Sequence, residues 1–294
     1  MSSDGSINIA DEIGKLQTRI ERELKQTYEK LGAWEKVQVA RHPERPKVSA
    51  IFERLLTDFT PLAGDRNYAE DHAVIAGMAR FRGQPVMVMG TEKGSSTEER
   101  VKRNFGMARP EGYRKASRLM DLAGRFGLPL LSFVDTAGAY PGRGAEERGQ
   151  AEAIAKNLRE MAILTVPVII IVIGEGASGG ALGIGVGDTQ MMMENSWYSV
   201  ISPEGCAAIL WGDRGKAQEL APNLKLTAVD LKELGLVDYV IEEPIGGAHW
   251  DPKLVYANLA DALTAEIKEL EKLSSDDLIE RRIEKYSQMG QFSE

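Results

Sequence analysis

The segment Gly174-Glu-Gly-Ala-Ser-Gly-Gly-Ala181 contains the residues of this chain whose types and spacing best suit chemistry. It follows six apolar, uncharged residues, Val168 to Ile173, which predict a strand buried on both faces and ending at Gly174. The small and apolar residues that follow predict a helix with Gly179 and Gly180 in its first turn. Backbone N–H groups in a first turn have no partner inside the helix and attract negative charge. We therefore expect this first glycine loop (residues 174–181) to bind an oxyanion.

Two other patterns fit the first glycine loop. Residues 174–179 match the dinucleotide-binding fingerprint, but two or three predicted strands precede them, whereas that fingerprint normally follows the first strand of its domain. Residues 176–180 match the nucleophile elbow, but an acylating Ser178 needs a histidine, and His249 is the one that follows it in the chain order Ser, Asp, His. A third interpretation is purely structural, with glycines that let a helix pack close to a sheet.

A second glycine loop (residues 135–149) follows another predicted buried strand, Leu130 to Val134. A predicted helix from Gln150 to Leu164 separates this strand from the next, which is the alternation expected of a right-handed crossover between parallel strands. Because the carboxyl ends of parallel strands meet at one edge of a sheet, the two glycine loops are expected to face one site.

Other segments predict the elements around this site. Residues 73–90 read as a hairpin of two strands with a glycine-containing turn. Residues 110–126 predict a helix that begins with a proline and ends before a glycine. Between them, Lys102, Arg103 and Arg109 lie in a polar segment that is either a solvated face or a contact for phosphate or carboxylate groups.

The two ends of the chain read as helical. Apolar residues from Ile9 to Leu31 recur at helical spacing and predict an amphipathic helix, whose apolar side either contacts another subunit or packs on the chain's own core. A second short helix is predicted at Ala33–Ala40, and the two prolines of residues 42–46 predict a linker on the surface. Beyond residue 251 we expect two more helices, the last of them capped by Ser274 or Ser275.

Composition excludes several classes of protein. The 294 residues are 43% apolar, which is ample for a core, and the net charge of −8 argues against a nucleic-acid-binding surface as the main function. One cysteine, Cys206, and three scattered histidines predict neither disulfides nor a metal site on this chain. No apolar run reaches the length of a membrane span, and residues 1–6 lack the features of a signal peptide, so a cytoplasmic location is expected.

Six motifs, in order along the chain, closely resemble the family of alpha subunits of bacterial acetyl-CoA carboxylase carboxyltransferase. They are Asn104–Met107, Pro110–Lys115, Asp135–Gly142, Gly144–Gln150, Gly174–Ala181 and Ile201–Cys206. The resemblance extends from about Leu31 to the C-terminus. Two departures lie in the glycine loops: Ala137 stands where the family often has proline and Ala177 where it often has glycine, and neither removes an amide from Gly179 or Gly180.

The resemblance implies an α/β, crotonase-like fold of repeated ββα units with peripheral N- and C-terminal helices. It divides the chain into an N-terminal helical arm and linker over residues 1–46 and a carboxyltransferase domain over residues 47–294. The arm looks shorter than in some relatives, which leaves its part in subunit packing open.

The resemblance also implies a reaction, namely transfer of the carboxyl group of carboxybiotin to acetyl-CoA, which gives malonyl-CoA for fatty acid biosynthesis. Biotin would be held by a biotin carboxyl carrier protein, with none attached covalently to this chain. The implied partners are a beta subunit, in an α2β2 heterotetramer, and biotin carboxylase. That beta subunit would carry a zinc ribbon and a second oxyanion hole, for the thioester enolate.

The resemblance, together with the unpartnered N–H groups of the first glycine loop, predicts the residues of the site. Gly179 and Gly180 would donate hydrogen bonds to the ureido oxygen of biotin as the carboxyl group leaves, and no acidic or histidine side chain would be needed because the released biotin nitrogen can take the methyl proton. Substrate-binding roles are expected for the residues around these amides and for two cations near the CoA phosphates, namely Gly138, Ala139, Tyr140, Ser178, Ala181, Lys102 and Arg103.

Two other functions stay open at this point. A single-chain crotonase-like hydratase or isomerase would use the same amides on a CoA thioester and would be active without a beta subunit or biotin. A non-catalytic scaffold subunit is the second alternative, and it predicts that altering Gly180 leaves the activity of the complex unchanged.

Overall fold

The computed structural model describes residues 9–290, so residues 1–6, on which the signal-peptide expectation rests, lie outside it. Within that range the helices are α1 Ile9–Tyr28, α2 Ala33–Ala40, α3 Val48–Leu55, α4 Thr97–Lys102, α5 Pro110–Phe126, α6 Arg143–Glu147, α7 Gln150–Ala162, α8 Ser178–Leu182, α9 Pro203–Trp211, α10 Ala217–Leu220, α11 Ala228–Glu233, α12 Pro252–Leu270 and α13 Ser275–Ser287. The strands are β1 Leu56–Pro61, β2 Val74–Phe81, β3 Gln84–Thr91, β4 Leu130–Thr136, β5 Val168–Ala177, β6 Thr189–Met193, β7 Trp197–Ser199 and β8 Tyr239–Ile241.

All of these strands belong to one mixed sheet of order β1-β2-β3-β4-β5-β6-β8, with β7 paired to β5 outside this path. The pairs β1–β2 and β2–β3 are antiparallel, and from β3 onward the strands run parallel. The parallel part includes β4 and β5, so the two glycine loops emerge at the same edge of the sheet, as the sequence predicts.

The sheet is covered on both faces. Along β5, Ile170 and Val172 point into a core formed with α5, α7 and α8, whereas Ile169, Ile171 and Ile173 point into a core formed with α3 and α12. Strand side chains alternate between the two faces of a sheet, and here both faces are apolar. The uninterrupted run of isoleucine and valine is explained by this burial on both sides.

Several sequence predictions are confirmed. The hairpin corresponds to β2 and β3, and α5 begins and ends at the predicted residues, with Gly127 in the left-handed conformation after its last turn. The last helix is capped by Ser274, whose side chain accepts from the Asp277 amide while the Asp277 carboxylate accepts from Ser274. The short helix at Ala33–Ala40 is also present.

Residues 42–46 are not the predicted surface linker. Arg45 and Pro46 are buried. The Arg45 guanidinium donates to the Ile173 carbonyl oxygen at 2.7 Å and pairs with the Glu243 carboxylate. The two prolines do interrupt the helices, but the arginine between them fastens this segment to the carboxyl end of β5.

Helix α1 does not bury its apolar side on the rest of the chain. Ile13, Leu16 and Ile20 are each about half exposed. Near the end of the helix, the Tyr28 hydroxyl donates to the Gly246 carbonyl oxygen at 2.7 Å. The C-terminal end of the helix therefore contacts the domain. The rest of its apolar stripe does not pack on the chain's own core.

Arg282 joins α13 to the sheet edge opposite the glycine loops. Its guanidinium pairs with both oxygens of Asp188, at 2.9 and 2.7 Å, and donates to the carbonyl oxygens of Met161, Leu164 and Val166. Asp188 also accepts from the Val168 amide at the start of β5. Both side chains are almost fully buried.

Replacing Arg282 by methionine is expected to lower the free energy of unfolding by about 3–5 kcal/mol, because it leaves the buried Asp188 carboxylate without a cation. Arg282→Lys keeps the charge and should cost clearly less. Urea unfolding followed by circular dichroism measures both. The matched control is Arg281→Met, at an exposed neighbour, which should stay within about 0.5 kcal/mol. Equal effects of the Arg281 and Arg282 variants would show that this ion pair does not hold α13.

Candidate active site

The strand before the first glycine loop is longer than predicted. β5 runs to Ala177, so the prediction that it ends at Gly174 is wrong. Its last three residues, Glu175 to Ala177, pair with Trp197 to Ser199 of β7, 22 residues further along the chain, which supply their hydrogen-bond partners. Gly174 has a packing role, since a Cβ there would lie 2.5 Å from the Asp135 carboxylate.

The turn into α8 occurs at Ser178, which adopts a left-handed conformation with φ of 60°. Such a conformation is costly for a residue other than glycine and is typical of sites where a fold fixes the backbone for function. The helix then starts at once, with Gly179 and Gly180 in its first turn as predicted. Among residues 9–290, neither amide donates a hydrogen bond to a protein acceptor. Both N–H groups therefore lack a protein partner, as is usual in a first helical turn, and Gly179 is half-buried whereas Gly180 is buried.

The second glycine loop packs directly against this turn. A Cβ on Gly180 would lie 2.2 Å from the Gly138 carbonyl carbon and 2.3 Å from the Ala139 nitrogen. Gly138 itself has φ of 140°, and its amide donates to the Thr136 hydroxyl oxygen at 3.1 Å. The two backbones thus approach more closely than any side chain at Gly180 would permit, and the two loops form one wall as the sequence predicts.

Tyr140 continues this wall. Its amide donates to the Ala108 carbonyl oxygen at 3.0 Å, and the Gln150 side chain donates to the carbonyl oxygens of both residues. The Arg109 guanidinium lies over the Tyr140 ring, 4.9 Å from its centroid. Arg109 therefore stacks on an aromatic residue of the site.

Tyr113 supports the turn from below. Its hydroxyl donates to the Gly180 carbonyl oxygen at 3.2 Å, and burial raises the pKa of this phenol, so it stays protonated. It acts as a fixed hydrogen-bond donor to the loop and supplies no base.

One side of the two loops is open. Ser178 and Ala137 are exposed, and a Cβ on Gly138 would meet nothing within 4 Å. Gly179 is half-buried, and a Cβ there would make only an ordinary contact with Ile154 at 3.7 Å. Ala181 is buried beneath the turn, where it belongs to the core rather than to the open surface.

Two of the predicted site residues lie outside this cluster. Lys102 ends α4 and is exposed, and Arg103 follows it and donates to the His72 carbonyl oxygen. Within the described part of the chain, no hydrogen bond or ion pair joins either cation to the glycine loops. The link between them is indirect: a Cβ on Gly106, three residues after Arg103, would lie 3.1 Å from the Asp135 carbonyl oxygen.

The nucleophile-elbow interpretation finds no support. The ring of His249 stacks on that of His42 with centroids 3.6 Å apart, and no hydrogen bond joins Ser178 to a histidine in the part of the chain that the structure describes. Without an adjacent base, a serine hydroxyl is a weak nucleophile.

The charged side chains at the base of the two loops are not among the site residues predicted from the sequence. Arg41, Lys93, Asp135, Glu175 and Glu204 form one connected group, which we call the anchoring cluster. The Lys93 ammonium lies 2.6 Å from Asp135 Oδ1 and 2.6 Å from Glu175 Oε1. Arg41 Nε donates to the other Glu175 oxygen at 2.6 Å, and its two Nη atoms reach the Glu204 carboxylate at 2.5 and 3.2 Å.

A signal for this cluster does exist in the sequence. Asp135 and Glu175 each lie at the end of a predicted buried strand, and a carboxylate in such a position needs a cation. The partner cations come from residues 93 and 41, which are distant in sequence, so the pairing itself could not be inferred.

Electrostatics keep Glu175 and Lys93 of the anchoring cluster ionised. Burial alone would raise the pKa of Glu175, but Lys93 and Arg41 outweigh it and hold that pKa below its usual value. Burial alone would lower the pKa of Lys93, but Asp135 and Glu175 raise it instead. At neutral pH these groups are therefore charged.

No set of three or more histidine, cysteine, aspartate or glutamate side chains is arranged to hold a metal ion within residues 9–290. In the same range, no helix combines the length and the apolar character that crossing a bilayer requires.

Comparison with known sequences identifies a family. The family model described as "Acetyl co-enzyme A carboxylase carboxyltransferase-like" matches residues 1–290. The acetyl-coenzyme A carboxylase carboxyl transferase subunit alpha of Rhizobium rhizogenes is 55% identical over 98% of this chain and 91% of its own length. That of Geobacter metallireducens is 53% identical with the same coverage.

Comparison with solved structures confirms the crotonase-like fold expected from the resemblance. A chain of transcarboxylase 12S, in a structure with methylmalonyl-coenzyme A bound, superposes with a TM-score of 0.62 and 20% identity over 76% of this chain and 41% of its own. A chain of a Pseudomonas malonate decarboxylase hetero-tetramer in complex with coenzyme A gives 0.59 and 16% identity over 72% and 84%. At these identities the likeness concerns the fold.

The close approach of the loops predicts different effects at the two glycines. Gly180→Ala places a Cβ inside the backbone of the second loop and should lower the free energy of unfolding by about 1–3 kcal/mol or more. Gly179→Ala makes an ordinary contact and should be nearly neutral. Chemical denaturation of both variants tests this, and equal stabilities would contradict the packing described here.

The low pKa of Glu175 predicts a pH-dependent effect of Glu175→Gln. A carboxylate with a lowered pKa in the folded state contributes stability above its unfolded pKa, about 4.3 for glutamate, and this contribution disappears as pH falls through the lower folded value. Relative to wild type, the variant should lose about 3–5 kcal/mol at pH 6–8 and progressively less below about pH 4.

Urea unfolding over this pH range measures the difference. Glu269→Gln, at an exposed ion pair with Lys272, is the control and should show little effect at any pH. A penalty for Glu175→Gln that does not change between pH 7 and pH 3 would contradict the role given to the Glu175 charge.

Proposed function

The chain belongs to the acetyl-CoA carboxylase carboxyltransferase family as an alpha subunit, a transferase of carboxyl groups, and we propose from this premise how its residues take part in the reaction. The carboxyl group would come from carboxybiotin held by a biotin carboxyl carrier protein. It would pass to the methyl carbon of acetyl-CoA and give malonyl-CoA.

One observation carries this proposal: the Gly179 and Gly180 amides start a helix, donate no hydrogen bond to the protein in the described chain and directly follow the exposed Ser178. The donor supplies a ureido oxygen on which negative charge grows as the carboxyl group leaves. The two amides would donate hydrogen bonds to that oxygen. Donors fixed in place before the reaction stabilise such charge without reorganising, and each is worth roughly 3 kcal/mol of barrier.

The residues around these amides fit a biotin ring. Gly138 has no side chain to block the open face, and Tyr140 offers an aromatic surface beside it that Arg109 holds in place. Ser178 is exposed at the rim of the turn. We assign the contacts with biotin to Gly138, Ala139, Tyr140 and Ser178, and we assign to Ala181 the packing that fixes the turn from within the core.

A partner chain would complete the site. Ser199 pairs with Ala177, so Val200, which is 81% exposed, lies beside the start of α8. Ile209 and Leu210 of α9 are also exposed apolar residues. We propose that a beta subunit covers this face and brings a second oxyanion hole for the acetyl-CoA enolate. The two subunits would form an α2β2 assembly, which would interact with biotin carboxylase and the carrier protein. The half-exposed apolar side of α1 is a second candidate contact.

Lys102 and Arg103 keep a proposed role near the CoA phosphates. Both belong to the segment just before the turn at Gly106, which packs on the second glycine loop, and neither is paired with a carboxylate among the described residues. Acetyl-CoA is a soluble metabolite, so we place the reaction in the cytoplasm.

The matched pair Gly179→Pro and Gly179→Ala tests the proposal. Both add a Cβ where there is room, but only proline removes the amide hydrogen. With beta subunit, carboxylated carrier and acetyl-CoA present, Gly179→Pro should lower kcat for malonyl-CoA formation by about 10²–10³ relative to Gly179→Ala. Circular dichroism and thermal unfolding check that both variants fold.

The same assay separates the two alternatives. Turnover of an acyl-CoA by this chain alone, without beta subunit or biotin, would favour a hydratase or isomerase. Equal rates for folded Gly179→Pro and Gly179→Ala in the full complex would favour a non-catalytic scaffold.

A further inference from the structure

The anchoring cluster connects the active-site wall to a surface helix. Its members come from five places: Arg41 follows α2, Lys93 follows β3, Asp135 lies in β4, Glu175 in β5 and Glu204 in the first turn of α9. None of the roles described so far uses these side chains. Asp135 and Glu175 are buried at the base of the two glycine loops, whereas Arg41 and Glu204 are partly exposed, at 31% and 28%.

Glu175 is the central member of the cluster. Both of its carboxylate oxygens accept short hydrogen bonds from cations, and its own amide donates to Asp135 Oδ1 at 2.9 Å. The Glu175 side chain is 8% exposed and that of Asp135 is 4% exposed. Glu175 is therefore fixed through its main chain and its side chain, three residues before the strained Ser178.

A role in stability alone does not account for this arrangement. A buried ion pair contributes little net stability compared with apolar residues of the same size, because desolvating the charges costs about as much as their attraction returns. A network of hydrogen bonds with fixed directions does hold the backbone in one conformation. Here that backbone includes the Gly179 and Gly180 amides, a few residues after Glu175. A displacement of about 1 Å at such a site can cost about a hundredfold in rate.

Arg41 carries this connection beyond the loops. Its guanidinium joins Glu175 at the base of the first glycine loop to Glu204 at the start of α9, and it lies 5.7 Å from the centroid of the buried Trp197 ring. Helix α9 ends in exposed Ile209, Leu210 and Trp211. Arg41 thus links the oxyanion-binding turn to an apolar surface helix.

We propose that Arg41 is a positioning residue for carboxyl transfer, which holds the Gly179 and Gly180 amides in place through Glu175 and ties them to α9. This inference rests on the proposed function of those amides. Lys93 supports the same carboxylate from the other side. Arg41 would touch neither substrate nor carrier, and its loss would act through the backbone of the turn.

The test compares Arg41→Met with Arg41→Lys in the reconstituted complex. Arg41→Met should lower kcat about 10- to 100-fold and leave KM for acetyl-CoA within about twofold, because a displaced amide weakens transition-state binding more than ground-state binding. Arg41→Lys restores the charge but reaches one carboxylate at a time, so it should recover part of kcat. The matched control is Arg282→Lys, in the buried ion pair at the opposite sheet edge, which should leave kcat unchanged.

A second measurement is independent of activity. The Glu175 amide is hydrogen-bonded to Asp135 and the Gly183 amide to the Gly179 carbonyl oxygen, so both report on the loop. Hydrogen exchange at these amides should be about tenfold faster in Arg41→Met than in wild type and unchanged in Arg282→Lys. Hydrogen exchange does not depend on the substrate. If exchange is faster in Arg41→Met while the wild-type complex shows no carboxyl transfer, the proposed function is wrong and the positioning role of Arg41 still holds.

Wild-type exchange and wild-type kcat in folded Arg41→Met would overturn the inference. The inference would also be overturned if kcat and thermal stability fell together, and by similar amounts, in Arg41→Lys and Arg282→Lys. That result is expected when an ion pair only stabilises the fold. If Arg41→Met does not fold, the same two measurements on Arg41→Lys decide, with slower turnover and faster exchange at residues 175 and 183 as the expected result.

Discussion

The Glu175 carboxylate, held between Lys93 and Arg41 at the buried end of β5, is the interaction on which the site depends. It allows a strand that is apolar on both faces to end in a charged residue without an unpaired ion. It also joins β3, β4 and β5 at the edge where both glycine loops leave the sheet. A loop anchored in this way can keep a strained residue such as Ser178 and can present bare amides in a fixed direction.

At the two glycine loops, glycine is required for close packing more than for freedom of rotation. Gly180 and Gly174 have neighbours closer than any Cβ permits, the second loop in one case and the Asp135 carboxylate in the other. Close approach brings the two loops into one wall, to which Gly138, Gly179 and Gly180 contribute backbone groups and no side chains. The proposed mechanism uses this geometry, since fixed backbone donors can stabilise the negative charge that develops during carboxyl transfer.

The sequence predicts the local part of this architecture well. The β5 core, α5 with its terminal glycine, the Ser274 cap and the position of Gly179 and Gly180 in a first turn all follow from periodicity and turn chemistry. It does not predict features that depend on distant partners. The extension of β5 to Ala177 needs β7, and the burial of residues 45 and 46 needs Glu243 and Ile173. The anchoring cluster needs Arg41, more than a hundred residues before Glu175.

The most direct test of the account is a structure of the assembled complex with biotin bound at this site. We expect the ureido oxygen to lie about 2.7–3.2 Å from both the Gly179 and the Gly180 nitrogen atoms, with the turn between Glu175 and Leu182 in its present conformation. A biotin ring bound elsewhere, or an oxygen held by side chains while those two amides bond to protein atoms, would contradict it.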